Sequence, residues 1–466
     1  MNIQETHQKL STGELSCTAL VKEKLSLLEQ NTHNSVNSLL TDLALEKAAK
    51  VDEKISKGES IGLLEGIPFG VKDVFLLQGT ISASSSNFLK NYKSPYTATA
   101  IQKLLDAGAI PIVKENCDSF GHGSTSENTV FGAVKNAHDP SLVGGGSSGG
   151  SAVNVALDHT TFSIGGDTGG SIRQPAGYNK VYGLKPTYGR ISRYGIMAYA
   201  SSTDCVGPIA QSVEDIETLL NVMSGKDYRD QTTFPSEKVD ANKGLDKANL
   251  TIGYYKEFVE NDGISDEIKS AFKATIEKIK AEGIKVEALS LANSEALVPT
   301  YYVSVMAETA SNLARLDGTM YGEREEAETL KDSYMLTRSE HFTAETQRRI
   351  VGGNQVLSQG HADEIYNKAA AIRAQITEGF SEDLSKVDLI LSPVTPAPTP
   401  KLGESLNDPL AMYLSDIYTI GFSLAELPTL AVPQGTSTGM QITGAKAQEE
   451  LILQFAKFID QKISRE

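Results

Sequence analysis

The sequence predicts an α/β fold, a mixed β-sheet sandwiched between helical layers in a single domain. Three observations lead there. Apolar runs of strand length alternate with charged, amphipathic stretches of helix length, the pattern of a sheet covered by helices. The composition is globular, 40% hydrophobic and 22% charged over 466 residues, enough chain to bury a large core. Glycine is concentrated in the middle, 13 of the 52 residues from Gly144 to Gly195 against 40 in the whole chain. Glycine is entropically costly inside helices and strands, so that stretch marks loops where backbone approaches something closely.

Taken in order, residues 1–60 read as helices. Leu20, Val21, Leu25 and Leu28 share one face, and Ala44, Leu45, Ala48, Ala49 and Ile55 follow in a Lys/Glu background. A core over 61–222 holds a short buried strand at Ile67–Val71, a helix at Thr99–Gly108, a strand at Ala109–Val113 and the glycine loops. A flexible linker would be polar throughout, but this glycine-rich stretch carries apolar runs at Ala152–Leu157 and Thr161–Ile164. Lys226–Asn249 is polar and irregular, a surface excursion. The remainder, 250–466, completes the sheet and helices: a strand at Leu250–Tyr255, a helix at Asp266–Glu282, a strand at Ile284–Leu289, charged helix over Ala307–Ala374, a strand at Val387–Ser392 and a last helix at Glu449–Ile463.

Charge and cysteine narrow the function. Lys plus Arg is 43 against 59 for Asp plus Glu, a net charge of −16. That field repels a phosphate backbone, so the chain is not expected to grip nucleic acid directly. Cys17, Cys117 and Cys205 lie far apart with no metal-ligand spacing, and the seven histidines are scattered singly. No metal site or disulfide framework is expected, and a reducing cytoplasm fits. Neither a secretory signal nor a membrane span is read.

The loop Leu142–Ala152 (LVGGGSSGGSA) invites three readings. A P-loop needs Lys and Ser/Thr after its last glycine, and the next lysine is Lys180. Gly144, Gly146 and Gly149 satisfy GxGxxG, with Asp167 downstream, but a turn (NAHDPS) precedes them where a dinucleotide fingerprint needs a strand. The third reading combines three places: Lys72 at the end of an apolar strand (GIPFGVKD), the serines of GGSSGGS, and Ser171 in IGGDTGGSIRQP. A serine needs a base, and no histidine lies in these loops. A lysine serves if it is neutral, and burial beside Val71 and Phe69 favours that form. Backbone amides along Thr168-Gly-Gly-Ser171 suit an oxyanion hole.

GGSSGGSA followed by DTGGSIRQPA resembles the amidase signature family, and the likeness extends over nearly the whole chain. The resemblance implies an amide-hydrolysing Ser–Ser–Lys triad: Lys72 as base, Ser147 as relay behind a cis Gly146–Ser147 peptide, and Ser171 as nucleophile. It implies an oxyanion hole at Thr168, Gly169 and Gly170, with Asp167 and Arg173 bracing the loop. Tyr182–Gly195 (YGLKPTYGRISRYG) and Ala310–Gly318 (ASNLARLDG) with Tyr321-Gly322 are similar to one branch of the family, the A subunits of tRNA-dependent amidotransferases. That branch implies hydrolysis of L-glutamine, with the ammonia passing to a B subunit and a small C subunit clasping the pair. The B subunit uses ATP and magnesium and holds the tRNA, glutamyl-tRNA(Gln) or aspartyl-tRNA(Asn); the A subunit itself takes no cofactor. Carried over by motif, Arg349 (or Arg348) meets the glutamine carboxylate, Asp416 its ammonium, and Tyr302 (or Tyr301) completes the pocket. A stand-alone amidase acting on another small amide is the alternative. Val432–Gly444 is compact beside the family pattern, and that loop is expected near the pocket rim.

Overall fold

The computed structural model describes residues 1–260, 263–407 and 409–463. Its strands are β1 (Val36–Leu39), β2 (Pro68–Lys72), β3 (Ile110–Glu115), β4 (Phe162–Asp167), β5 (Tyr182–Lys185), β6 (Cys205–Ala210), β7 (Thr251–Tyr255), β8 (Lys285–Leu289), β9 (Leu389–Pro393), β10 (Thr429–Val432) and β11 (Met440–Gly444). Among the described residues these make one sheet in the order β1-β3-β2-β4-β6-β5-β10-β11-β9-β7-β8. The β3-β2-β4 and β9-β7-β8 neighbours are parallel, and the joins between them are antiparallel. The mixed sheet expected from the sequence is therefore present. β2, β3, β4 and β6 are buried along their whole length, and the apolar runs read as strands at Ile67–Val71 and Ala109–Val113 correspond to β2 and β3.

Helices cover the sheet. The first three, α1 (Ile3–Ser11), α2 (Cys17–Glu29) and α3 (Thr41–Ser56), precede the core; α4 (Thr99–Asp106), α5 (Gly149–Ala156), α6 (Arg173–Tyr178) and α7 (Val213–Met223) lie within it. Then come α8 (Asp266–Ala281), α9 (Leu297–Asn312), α10 (Leu330–His341), α11 (Ala344–Leu357), α12 (Asn367–Asp383), α13 (Pro409–Ser415), α14 (Ile417–Leu424) and α15 (Glu449–Lys462). No helix among the described residues is long and apolar enough to cross a membrane.

Three expectations need correction. The first sixty residues are not all helical, since Val36–Leu39 forms edge strand β1 on β3; four residues with Asn and Ser carry too little apolar pattern to read as a strand. The helix expected across Ala307–Ala374 is interrupted over Leu316–Thr329, where Gly318 (φ 79°) and Gly322 (φ 87°) adopt left-handed conformations that break a helix. The Val432–Gly444 segment is the β10–β11 hairpin. Its turn packs on α8, with Thr275 Oγ1 donating to Gly435 O at 3.1 Å. Because β4, β6, β5, β10 and β11 run successively antiparallel, that turn lies at the edge of the sheet opposite the carboxyl ends of β2 and β4. It is remote from the rim where the catalytic loops emerge.

Candidate active site

Lys72 is the last residue of β2 and is buried, 2% exposed. Its Nζ donates to Ser147 Oγ at 2.7 Å, to Ser148 Oγ at 2.9 Å and to Gly166 O at 3.4 Å. Ser148 Oγ spends its own hydrogen on Gly166 O at 3.1 Å, so it can only accept from the lysine. The arrangement serves both protonation states. An ammonium has three acceptors; a neutral amine donates to Ser148 Oγ and Gly166 O and turns its lone pair to the Ser147 hydroxyl. Burial drives the Lys72 pKa down from 10.5, while the surrounding carboxylates Asp118, Asp167 and Asp204 pull it back up.

Ser147 follows a cis peptide from Gly146, as the resemblance implied. The loop it lies on is pinned from below. Asp118 N–H donates to Ser147 O at 3.3 Å, and the Asp118 carboxylate accepts from Ser126 N–H at 2.9 Å and Asn128 N–H at 3.0 Å. Burial raises the Asp118 carboxyl to about 7.

Ser171 lies in the turn after β4, with its carbonyl accepting from Ser148 N–H at 3.0 Å. Its Oγ makes no hydrogen bond among the described residues. At 8% exposed it is the outermost member of a set whose inner members, Lys72 and Ser147, are at 2% and 1%. Asp167 and Arg173 brace the turn as expected. Asp167 accepts from Gly170 N–H at 2.8 Å, Ile172 N–H at 3.0 Å, and Arg173 Nε and Nη2 at 3.0 Å each. Burial opposes ionisation of Asp167, but the Arg173 charge outweighs it and holds the carboxyl below its usual range. Of the three amides assigned to an oxyanion hole, that of Gly170 is thus already engaged. The amides of Thr168, Gly169 and Ser171 have no partner among the described residues. Glycine is required here by close approach. A Cβ on Gly169 would fall 2.2 Å from the Tyr301 hydroxyl, and one on Gly170 2.5 Å from Thr419 Oγ1.

Ser171 faces a small pocket walled by Ser124, Gly169, Tyr199, Tyr301, Arg349 and Asp416. Its far wall depends on how α9 and α11 pack. Gly353 on α11 sits where a Cβ would be 1.9 Å from Met306 O of α9, so the helices approach closely and Arg349, one turn earlier, comes to lie against Tyr302. Arg349 is 2% exposed. Its Nε donates to Glu345 Oε1 at 2.7 Å and its Nη1 to the Tyr199 hydroxyl, and its guanidinium lies 5.5 Å from the ring centroids of Tyr199, Tyr302 and Tyr413. Arg348, the alternative, points outward with 47% of its side chain exposed. Asp416 accepts from the Tyr302 hydroxyl at 2.9 Å and from Ser124 Oγ at 3.2 Å, and burial raises its carboxyl to about 6. Tyr301 and Tyr302 therefore do different things. Tyr301 walls the pocket beside Ser171, and Tyr302 holds Asp416.

A second cavity adjoins the first across Tyr199 and contains Lys72, Ser147, Thr168 and Asp204. Ser148 was read only as one of the serines of GGSSGGS, and Tyr199, Asp204 and Glu345 were not singled out from the sequence. Only Glu345 carried a local signal, its i,i+4 spacing to Arg349 on a helix. Among the described residues no group of His, Cys, Asp and Glu could hold a metal.

Comparison with known proteins gives the family. The amidase family profile matches residues 19–453. The A subunit of glutamyl-tRNA(Gln) amidotransferase from Desulfatibacillum aliphaticivorans is 42% identical over 97% of this chain and 95% of its own length. The crystal structure of the protein of the same name from Thermotoga maritima is 33% identical, covering 95% of this chain and 94% of its own, with a TM-score of 0.74. The crystal structure of an amidase is 30% identical over the whole of both chains with a TM-score of 0.84. The chain belongs to the amidase family.

Proposed function

We propose that this chain is the glutaminase component, the A subunit, of a tRNA-dependent amidotransferase, folded as a single amidase domain. One observation carries the reading: a buried cation, Arg349, and a buried anion, Asp416, wall the same pocket as Ser171. That pair is complementary to the carboxylate and ammonium of an α-amino acid, with a guanidinium fork for the carboxylate. A site for a simple amide needs neither charge: Arg349 is paired with Glu345 and still presents its outer face to the pocket, while Asp416 is met by the uncharged hydroxyls of Tyr302 and Ser124 and would gain a cation from the substrate ammonium. Relatives named as A subunits of glutamyl-tRNA(Gln) amidotransferase, 39–42% identical over the full length, support the same reading.

The chemistry is acyl transfer. Neutral Lys72 takes the proton of Ser147, which takes that of Ser171, and Ser171 Oγ attacks the side-chain amide carbon of glutamine. The tetrahedral oxyanion is held by the open amides of Thr168, Gly169 and Ser171. Lys72 returns its proton through Ser147 to the leaving nitrogen, ammonia departs, and a γ-glutamyl ester remains on Ser171. Water then cleaves the ester by the same relay.

The chain needs no cofactor for these steps. Its partner, the B subunit, uses ATP and magnesium and binds the tRNA, in keeping with this chain's net charge of −16; the small C subunit completes the complex. Purification with partners and assay with L-glutamine and a small uncharged amide tests the reading. Glutamine should be strongly preferred, and the chain should co-purify with its partners. An isolated chain that turns over an uncharged amide as well as glutamine would instead be a stand-alone amidase.

Arg349→Lys should raise the KM for glutamine about 10- to 100-fold while moving kcat less. A lysine cannot reproduce the fork, and a hydrogen bond to a charged group contributes about 1.5–3 kcal/mol. Steady-state kinetics of glutamine hydrolysis reads it. An unchanged KM would remove the carboxylate from Arg349.

A further inference from the structure

We propose that Asp204 is a positioning residue that holds the oxyanion amides and the substrate-binding arginine in one fixed relation, through Thr168 on one side and Tyr199 on the other. The contact follows from the register. The antiparallel β4–β6 ladder ends at Asp167 opposite Cys205, so the next residues outward, Thr168 and Asp204, emerge side by side. Thr168 Oγ1 donates to Asp204 Oδ1 at 2.7 Å, with Ala200 N–H at 3.1 Å on the same oxygen and Tyr199 N–H at 3.0 Å on Oδ2.

Two consequences reach the reacting atoms. Thr168 begins the run of open amides, and its hydroxyl bond fixes how those amides are presented. Tyr199 walls both cavities of the site, and its hydroxyl meets Arg349 Nη1. A carboxylate suits the place because all three partners are donors and none is an acceptor. An asparagine would turn an NH2 group against one of them.

The plainer role for Asp204 is to cap the 199–204 turn. The bonds from Tyr199 and Ala200, five and four residues before it, do that without help. The bond from Thr168 is the one a cap does not need, so Thr168 separates the two roles.

The inference rests on Ser171 being the nucleophile of this pocket, and Ser171→Ala reads that separately. In the full-length protein, Thr168→Val keeps the side chain's shape and leaves both backbone bonds of Asp204 in place. It should lower kcat for glutamine hydrolysis by about tenfold or more, since small misplacements at a reacting centre cost up to about a hundredfold, with less change in KM. Thr168→Ser should regain most of the loss. Asp204→Asn should lower kcat and raise KM together, and adding Thr168→Val to it should cost little more, because the two residues act through one bond. A Thr168→Val enzyme with wild-type kcat overturns the proposal, and so do losses in the two single variants that multiply in the double. If Asp204→Asn does not fold, the Thr168→Val and Thr168→Ser pair still decides. If Ser171→Ala keeps its turnover, the nucleophile assignment is what fails, and with it the basis for this inference.

Discussion

Ser171→Ala is expected to abolish glutamine hydrolysis and glutamine-driven amidation, a loss of at least about a thousandfold, because no other hydroxyl is placed to form the ester. Ser147 and Ser148 lie behind it at 1% and 0% exposed, both bonded to Lys72. Ser124 reaches the pocket, but its hydroxyl is committed to Asp416. Ser171 alone combines a pocket-facing position with an Oγ free of partners among the described residues. Folding should be little affected, since the turn is held by Asp167 and Arg173 through backbone amides and not through the Ser171 hydroxyl. In the assembled complex, added ammonium should restore amidation if the acceptor site lies on the partner, as proposed above. Two assays check this, glutamate release from glutamine and ammonium-dependent amidation. Retained glutaminase activity would reassign the nucleophile, and amidation that ammonium fails to rescue would mean that the substitution had damaged the complex.

The parts of this molecule that were legible in the sequence are those encoded locally. Buried strands such as β2, β3 and β9 show as short apolar runs, and α8 shows its period within its own residues. Lys72 stands at the end of an apolar strand and Ser147 and Ser171 in glycine-rich loops, residue types that already limit the chemistry, while their roles as a triad came from the family resemblance. The shape of the substrate pocket was not legible, because it is made by packing. Arg348 and Arg349 are equivalent as letters. Only the rotation of α11, set by the close approach of Gly353 to α9, turns Arg349 inward and Arg348 to solvent. Tyr301 and Tyr302 are divided in the same way, one onto Gly169 and the other onto Asp416. Asp204 had no motif at all. It meets Thr168 because two strands far apart in sequence share a register. The strand β1 was hidden for the opposite reason, since a half-buried edge strand of four residues needs little apolar patterning to pair.

Lys72→Met should lower kcat by about a hundredfold to ten-thousandfold, the usual contribution of a positioned general base. Methionine fills the lysine's volume with a neutral chain, so the effect reads lost proton transfer and not an uncompensated buried charge. Lys72→Arg should be inactive too, because a guanidinium keeps its proton at any working pH. The pH dependence gives the sharper test. The base must be unprotonated, so kcat should rise with pH through the Lys72 pKa, and burial sets that midpoint below the ordinary 10.5. Other groups titrate nearby. Asp416, raised by burial to about 6, must be ionised to hold the substrate ammonium, so KM should worsen as pH falls through about 6. The two limbs are separable by the parameter they affect and by substitution. Asp416→Asn should remove the KM dependence near pH 6 and leave the rise in kcat, whereas Lys72→Met should remove the rise in kcat from whatever activity remains. If the kcat limb persists unchanged in Lys72→Met, the proton acceptor is another group, and the neutral-amine geometry around Ser147 and Ser148 is structural.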